Sequence, residues 1–418
     1  MNTHVSVLIV GGGQAGLSLS WHLQQRGIDH IVLEKKRAMH TWRDRRWDAF
    51  SLVTPNWQCQ LPGWPYRGND PDGFMVKAEI LQYLDGFLAH VKPPLHEGVA
   101  VTQVLPLEGG GFAVQTSAGH WTADAVVVAS GGYDQPIVPP WAAGLPQDLL
   151  QMHSEQYKNP QALPPGAVLV VGCGQSGAQI AEDLHLAGRQ VVLATGPAPR
   201  CARFYRGKDV VTWLADMGYY QMPVARHPLR EGVRDNTNHY VTGRDGGRDI
   251  DLRQFAVEGM QLYGLLSGFD NGTLRFEPNL REHLDEADRI YNGINASIDR
   301  WIDAQGLHAP PASVYQPAWQ PAAERTALKL QEAGIGTVLW CIGFRPDFAW
   351  LRAPVFDGRG NPVHQRGITA TPGLCFIGLP WLHTWGSGRF SGVAADAAFL
   401  ADHLGALRRV SHSAALAI

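Results

Sequence analysis

Two six-residue turns carry most of the chemistry legible in this chain. Gly11-Gly12-Gly13-Gln14-Ala15-Gly16 and Gly172-Cys173-Gly174-Gln175-Ser176-Gly177 both fit G-x-G-x-x-G. Each follows a β-branched run, VSVLIV or AVLVV, and opens a helix-length segment closed by a glycine sixteen residues after the first, Gly27 or Gly188. One such match is weak evidence, because glycine-rich turns are common. Two matches in the same strand–turn–helix setting, at one internal spacing, point to paired dinucleotide sites. The first glycine permits the tight turn, the second lets backbone N–H groups approach a pyrophosphate, and the third lets the helix pack closely on the strand. The pyrophosphate then rests on the positive end of the helix dipole.

The far end of each unit separates the two sites. Twenty-three residues beyond Gly11 stands Glu34, a carboxylate able to accept hydrogen bonds from both hydroxyls of an adenosine ribose. The same count from Gly172 reaches Thr195, which is neutral and tolerates a 2′-phosphate. Arg200 and Arg203 follow, placed either to pair with that phosphate or to serve a solvated loop. The first site is therefore expected to take FAD or NAD, and the second NADPH, with NADH as the alternative. A flavin that takes hydride from a nicotinamide accounts for both.

The elements that must position these turns fit within 418 residues, enough for two or three domains. A hydrophobic share of 45% with only 17% charged residues supports a large core. A net charge of −3 without a dense basic stripe argues against nucleic acid or an anionic membrane as partner. No apolar run approaches the length of a membrane span, and the first strand begins too soon after Met1 to leave room for a signal peptide. Five scattered cysteines with no C-x-x-C suggest a reducing, cytoplasmic setting and no local metal ribbon, so no metal site is expected.

Between the turns, residues 41–66 are dense in Trp, Arg and Pro and read as an ordered loop over a cofactor or substrate. A predicted hairpin strand, WTADAVVVASG, runs into Ser130. Residues 204–320 form a substrate or lid region with one strong helix signal, whose stripe from Leu280 to Trp301 offers either core or a dimer face. GLCFIGLPW and the closing GSGRFSGVAADA place Gly378 and Ser387 near a last helix N-terminus, which could return amide donors to a flavin. The expected fold is α/β with two Rossmann-like dinucleotide-binding domains. Residues 1–150 and 326–418 form the FAD domain, and the NADPH domain is inserted at 151–325.

These residues resemble the flavin-dependent monooxygenases of the two-dinucleotide-domain type, including the plant indole-3-pyruvate monooxygenases and, more distantly, the Baeyer–Villiger monooxygenases. The marks are GGGQAG with Glu34, Thr41-Trp42-Arg43, ASGGYDQPIVP, HSEQYKNP before GCGQSG, and CIGFRPD. The resemblance implies that NADPH reduces FAD, that dioxygen adds to give a C4a-(hydro)peroxyflavin, and that one oxygen atom passes to a small organic substrate by N-, S- or Baeyer–Villiger-type oxygenation. It implies cofactor contacts for Trp42, Arg43 and Ser130, and places Asn56 as a candidate amide donor at the flavin edge. Tyr157 and Lys158 are expected at the nicotinamide or at the hinge, and His153 as either a catalytic or a structural histidine. Two rival readings stay open. A disulfide or electron-carrier reductase would want paired thiols, which Cys173 alone does not supply. A regulatory protein could bind both nucleotides without turnover.

Overall fold

The computed structural model describes residues 3–415, with side chains through residue 409. The first half begins with β1 (Thr3–Val10), α1 (Gln14–Gln25) and β2 (His30–Glu34), followed by α2 (Lys77–Val91) and β3 (Leu95–Glu97). A meander follows, β4 (Val101–Pro106), β5 (Phe112–Thr116) and β6 (Gly119–Val128), and then the short β7 (Gln135–Pro136). The sheet order is β3-β2-β1-β6-β5-β4. The strands β1, β2 and β6 run parallel, and the second half of β1, Val7–Val10, is continuously apolar and buried as a strand covered on both faces requires.

A second sheet is built from β8 (Leu150–His153), β9 (Ala167–Val171), α3 (Gln175–Leu186), β10 (Val191–Ala194) and β11 (Gln261–Tyr263). The long helix α4 (Leu280–Gln305) precedes its last strand, β12 (Ile335–Trp340). Every pair in the order β8-β12-β9-β10-β11 is parallel. The chain then returns through β13 (Phe344–Arg345) to β14 (Leu374–Phe376), which pairs with β6, and ends in α5 (Val393–Ala415).

One expectation changes here, and two open readings take a definite form. A return at residue 326 places the strand TVLW in the FAD domain, yet β12 lies between β8 and β9 in the second sheet. The return therefore falls near 344, where β13 pairs antiparallel with β7. The two crossings between domains are thus neighbours. The helix α4 forms as expected, but Leu280, Leu284, Ala287, Tyr291, Ile298 and Ile302 are buried within the chain, so its stripe is core and not a dimer face. Within 204–320, four short 3₁₀ turns between residues 219 and 246 link the helices Val210–Asp216 and Leu252–Val257, ahead of short strands at 261–276 and α4.

Candidate active site

Both glycine turns stand at the carboxyl end of a central strand, between two parallel neighbours. This is the position at which open α/β sheets bind ligands. Gly11 has φ +117°, and a Cβ there would come within 2.6 Å of the Ala129 carbonyl at the end of β6. Gly172 repeats this, with φ +96° and 2.8 Å to the Cys341 carbonyl at the end of β12. Gly16 and Gly177 lie over the carbonyls of Gly11 and Gly172, with no room for a side chain. The middle glycines differ: Gly13 has no heavy atom within 4 Å of its would-be Cβ, and Gly174 meets only Thr237 Cγ2, at 3.3 Å. The duplicated motif is thus a duplicated geometry, with close-packed outer glycines and an open middle one.

The helix ends agree. Neither α1 nor α3 has a side chain capping its N-terminus, and neither carries an acidic residue in its first turn. The short helix at Leu252–Val257, by contrast, is capped by Asp251. The free N–H groups at Gly13–Gly16 and Gly174–Gly177 remain available to an anion, so the residues present fit a dinucleotide at each turn. Glu34 stands at the end of β2, its carboxylate accepting from Gly12 N at 2.7 Å and Lys36 N at 2.8 Å. The side chain of Gln14 accepts from Trp42 Nε1 at 3.1 Å and donates to the Gly388 carbonyl at 3.3 Å, tying α1 to the 41–50 loop and the C-terminal segment. Gly378 packs against Ala15, with no space for a Cβ.

A cleft of about 1190 Å³ opens beside the second turn. One wall carries Gly172, Gly174, Gln175, Ser176, Thr195 and Asn236–Asn238. The other comes from the first domain and includes Thr41, Arg45, Arg46, Trp47, Phe50, Tyr133, Trp381 and Arg389. Trp42 stacks on Phe390, with ring centroids 4.9 Å apart, just behind this wall.

Several expected site residues are engaged elsewhere. Asn56 is buried, donates one amide hydrogen to the Asp70 carbonyl at 2.9 Å and accepts from Met75 N at 2.7 Å, so the group expected to donate to a flavin ties the 56–75 loop together. His153 is buried, with Nε2 3.0 Å from the Gly343 carbonyl and its ring edge-on to Phe344. Burial lowers its pKa, and the structural reading holds. Arg43 pairs with Asp85 and donates to the Ala38 carbonyl, away from the cleft. Arg200 lies between the rings of Tyr291 and Tyr315 and pairs with Asp288 at 2.8 Å. Arg203 pairs with Asp209 at 2.6 Å and is buried. Neither arginine lines the cleft or has charge to spare for a 2′-phosphate.

Thr195 does line the cleft, but its hydroxyl donates to the Tyr263 carbonyl at 2.9 Å. Tyr157 is fully buried and donates to Asp183 at 2.6 Å, inside the second domain. Lys158 donates to the Asp44 carbonyl while its own carbonyl accepts from Asp48 N at 2.8 Å, so of its two expected places it takes the hinge. Ser387 is buried and accepts from His383 N and Thr384 N at 3.0 Å, shaping the turn before α5 instead of facing a ligand. Ser130 is exposed just beyond β6, next to Gly11. Sequence reasoning passed over Arg46, Arg389 and Asn236–Asn238. No spacing marks them, and only the fold brings them to one cleft.

Two uncapped dinucleotide turns, each between parallel strands of its own sheet, with residues of both domains lining a cleft beside the second, define an oxidoreductase that works with two nucleotide cofactors. The chain belongs to the pyridine nucleotide-disulphide oxidoreductase family, whose model matches residues 8–220. It is 31% identical over 406 residues to an uncharacterised CzcO-like oxidoreductase of Geobacillus kaustophilus, covering 96% of this chain and 98% of that one. It is 29% identical over 378 residues to the probable indole-3-pyruvate monooxygenase YUCCA7 of Arabidopsis thaliana, covering 84% and 83%. Among solved structures it is similar to a double mutant of a flavin monooxygenase from Stenotrophomonas maltophilia, with TM-score 0.66, 20% identity and coverage of 97% and 99%. Among the described residues, no helix is long and apolar enough to cross a membrane.

Proposed function

We propose that the protein is an NADPH-dependent flavin monooxygenase that adds one oxygen atom from dioxygen to a small organic substrate. In this reading FAD lies on the first turn with its adenosine ribose at Glu34, and the nicotinamide nucleotide lies on the second turn along the cleft. The observation that carries it is the pair of uncapped, glycine-opened helix ends on two domains that share one cleft. Family likeness supports oxygen transfer over the other chemistries, and so do the thiols. All five cysteines are buried and unpaired. Cys173, the one inside a glycine turn, is 3.3 Å from the Gly196 carbonyl, and burial pushes its thiol up to about 11. Such a thiol is a poor nucleophile at neutral pH, which disfavours the disulfide-reductase reading.

When bound, FAD accepts hydride and activates dioxygen, and NADPH supplies the hydride. The chain's own part is to bind, orient and exclude water. Gly13 and Gly174 admit the phosphates, and Gln14 fixes Trp42 against Phe390. Trp47 and Phe50, edge-to-face with ring centroids 5.0 Å apart, close the wall with apolar surface. With Arg200 and Arg203 consumed, a preference for NADPH over NADH has to rest on other residues of the cleft. The test is direct. Purified protein reconstituted with FAD should be bleached by NADPH without air. With air and a panel of amines, thioethers and ketones, one substrate should gain ¹⁸O from labelled dioxygen. Consumption of NADPH matched one-to-one by hydrogen peroxide across the whole panel would reject oxygen transfer.

A further inference from the structure

The two glycine turns are not equally open. The space a Cβ would take at Gly13 is empty to 4 Å, whereas at Gly174 it is bounded by Thr237 Cγ2 at 3.3 Å. A middle glycine leaves that space so that a pyrophosphate can reach the backbone N–H groups. Anything seated on the second turn therefore touches Thr237. The hydroxyl of Thr237 has no hydrogen-bond partner among the described residues. It shares a Cβ with the methyl that faces Gly174, so one χ1 rotation exchanges the two.

Thr237 belongs to a segment that crosses from the second domain to the first. Residues 219–238 leave the helix Val210–Asp216 through Gly218, whose φ is +78°. They rejoin the second domain at Tyr240, which is buried and donates its N–H to the Pro199 carbonyl at 2.9 Å. Between those anchors the segment is tied to the first domain. Val224 N donates to the His383 carbonyl at 2.6 Å and Arg234 Nε to the Trp381 carbonyl at 3.1 Å. Asn238 Oδ1 accepts from Arg389 at 2.7 Å, and Asp235 pairs with Arg359 at 3.3 Å. The apolar support is thin: Val224, Val233 and Trp381 are the buried members of its cluster, with Tyr219 and Trp385 partly buried beside them. A segment with so few buried apolar contacts opens at lower cost than the sheets it joins.

We propose that residues 219–238 form a strap over the second turn, with Thr237 contacting the phosphates of the bound nicotinamide nucleotide and the Asn238–Arg389 pair latching the strap to the first domain. With the strap down, Thr237 bounds the turn, and Glu231 and residues 234–238 wall the cleft. The nucleotide enters and leaves as the strap lifts about Gly218 and Tyr240, and a phosphate on the turn holds it down. Among the described residues nothing lies over Gly13 in this way, so the gate acts on one cofactor and not on the other. The proposal rests on reading the second turn as the nicotinamide-nucleotide site and adds how that site closes.

Two measurements on FAD-loaded protein test it without turnover. Arg226 and Arg230 are exposed within the strap, so trypsin reports its opening. Saturating NADP⁺ is expected to slow cleavage at both sites at least fivefold, whereas 2′-AMP, which carries no pyrophosphate, should leave it nearly unchanged. In stopped-flow displacement by excess 2′-phospho-ADP-ribose, followed through flavin absorbance, Thr237→Ala and Asn238→Ala should release NADP⁺ at least tenfold faster than the parent. Asn238→Asp, which keeps an acceptor for Arg389, should release it at close to the parent's rate. Cleavage insensitive to NADP⁺, or release at the parent's rate in both alanine variants, would overturn the proposal. NADP⁺ that fails to bind the parent would reject the second turn as a nucleotide site, and the strap's role with it. Gated release in a protein that transfers no oxygen would uphold the strap and reject only the monooxygenase reading.

Discussion

Within each turn, neighbouring glycines do different work. Gly16 lies so close to the Gly11 carbonyl that a methyl group must open the β1–α1 junction, whereas the same methyl at Gly13 meets only open space. Gly16→Ala is therefore expected to give little folded protein, a loss of the kind seen on overpacking a tight core, about 1–3 kcal/mol or more. Gly13→Ala should melt within a degree or two of the parent but bind FAD at least tenfold more weakly. Flavin content after gel filtration, set against a thermal melt, separates the two. Equal FAD retention in Gly13→Ala would show that the first turn holds no pyrophosphate. The turns were legible from sequence because the glycine spacing and the closure of Gly16 on Gly11 and Gly177 on Gly172 lie within six residues, although Ala129 and Cys341, against which Gly11 and Gly172 pack, do not. The roles of Asn56, His153 and Arg200 could not be read from sequence for the opposite reason. Their partners Met75, Gly343 and Asp288 lie nineteen or more residues away, and a side chain's availability depends on partners the sequence does not reveal.

At the scale of elements, α4 shows how the region that resisted sequence reading is held together. Its buried stripe was readable from periodicity, but its polar contacts were not. Arg200 and Arg253 both pair with Asp288 on α4, and Arg253 also reaches Asp285 and the Trp319 carbonyl. Tyr291 donates to Asp249 at 2.8 Å and Tyr315 to Asp251 at 2.8 Å. The helix is thus the spine on which the 200–253 and 315–319 segments are fixed. Breaking one member of such a buried cluster costs about 3–5 kcal/mol, because it leaves the other charges uncompensated. Arg200→Met should lower the melting temperature clearly while leaving the ratio of NADP⁺ to NAD⁺ dissociation constants unchanged. A selective loss of NADP⁺ affinity would instead return Arg200 to the 2′-phosphate.

For the molecule as a whole, acid should be more damaging than the near-neutral composition suggests. Burial pushes His239 and His364 down to about 4, against an ordinary value of 6.5, and His364 Nδ1 faces Gly367 N at 3.3 Å, which requires that nitrogen unprotonated. Their folded values lie below their unfolded ones, so the unfolded chain takes up protons first. Their contribution is intact above about pH 6.5 and is lost as pH falls from there towards 4. Melting temperature should therefore drop across that window, and His239→Gln with His364→Gln should flatten the slope. A slope identical to the parent's would mean that these imidazoles titrate normally.

The neighbouring crossings β7 and β13 carry a consequence for assembly of the chain. Pro136 faces Phe344 and Gln135 faces Arg345, so roughly two hundred intervening residues leave and rejoin the host sheet side by side. Once the excursion has folded, its ends present the host with a span no wider than a hairpin. The N-terminal strands then need not wait for a distant tail to diffuse home, because β14 is delivered to β6 already tethered. Growth or trimming of the loops between β8 and β12 leaves that tether untouched, so such a chain can remodel what its cleft accepts without reopening the problem of closing its first sheet.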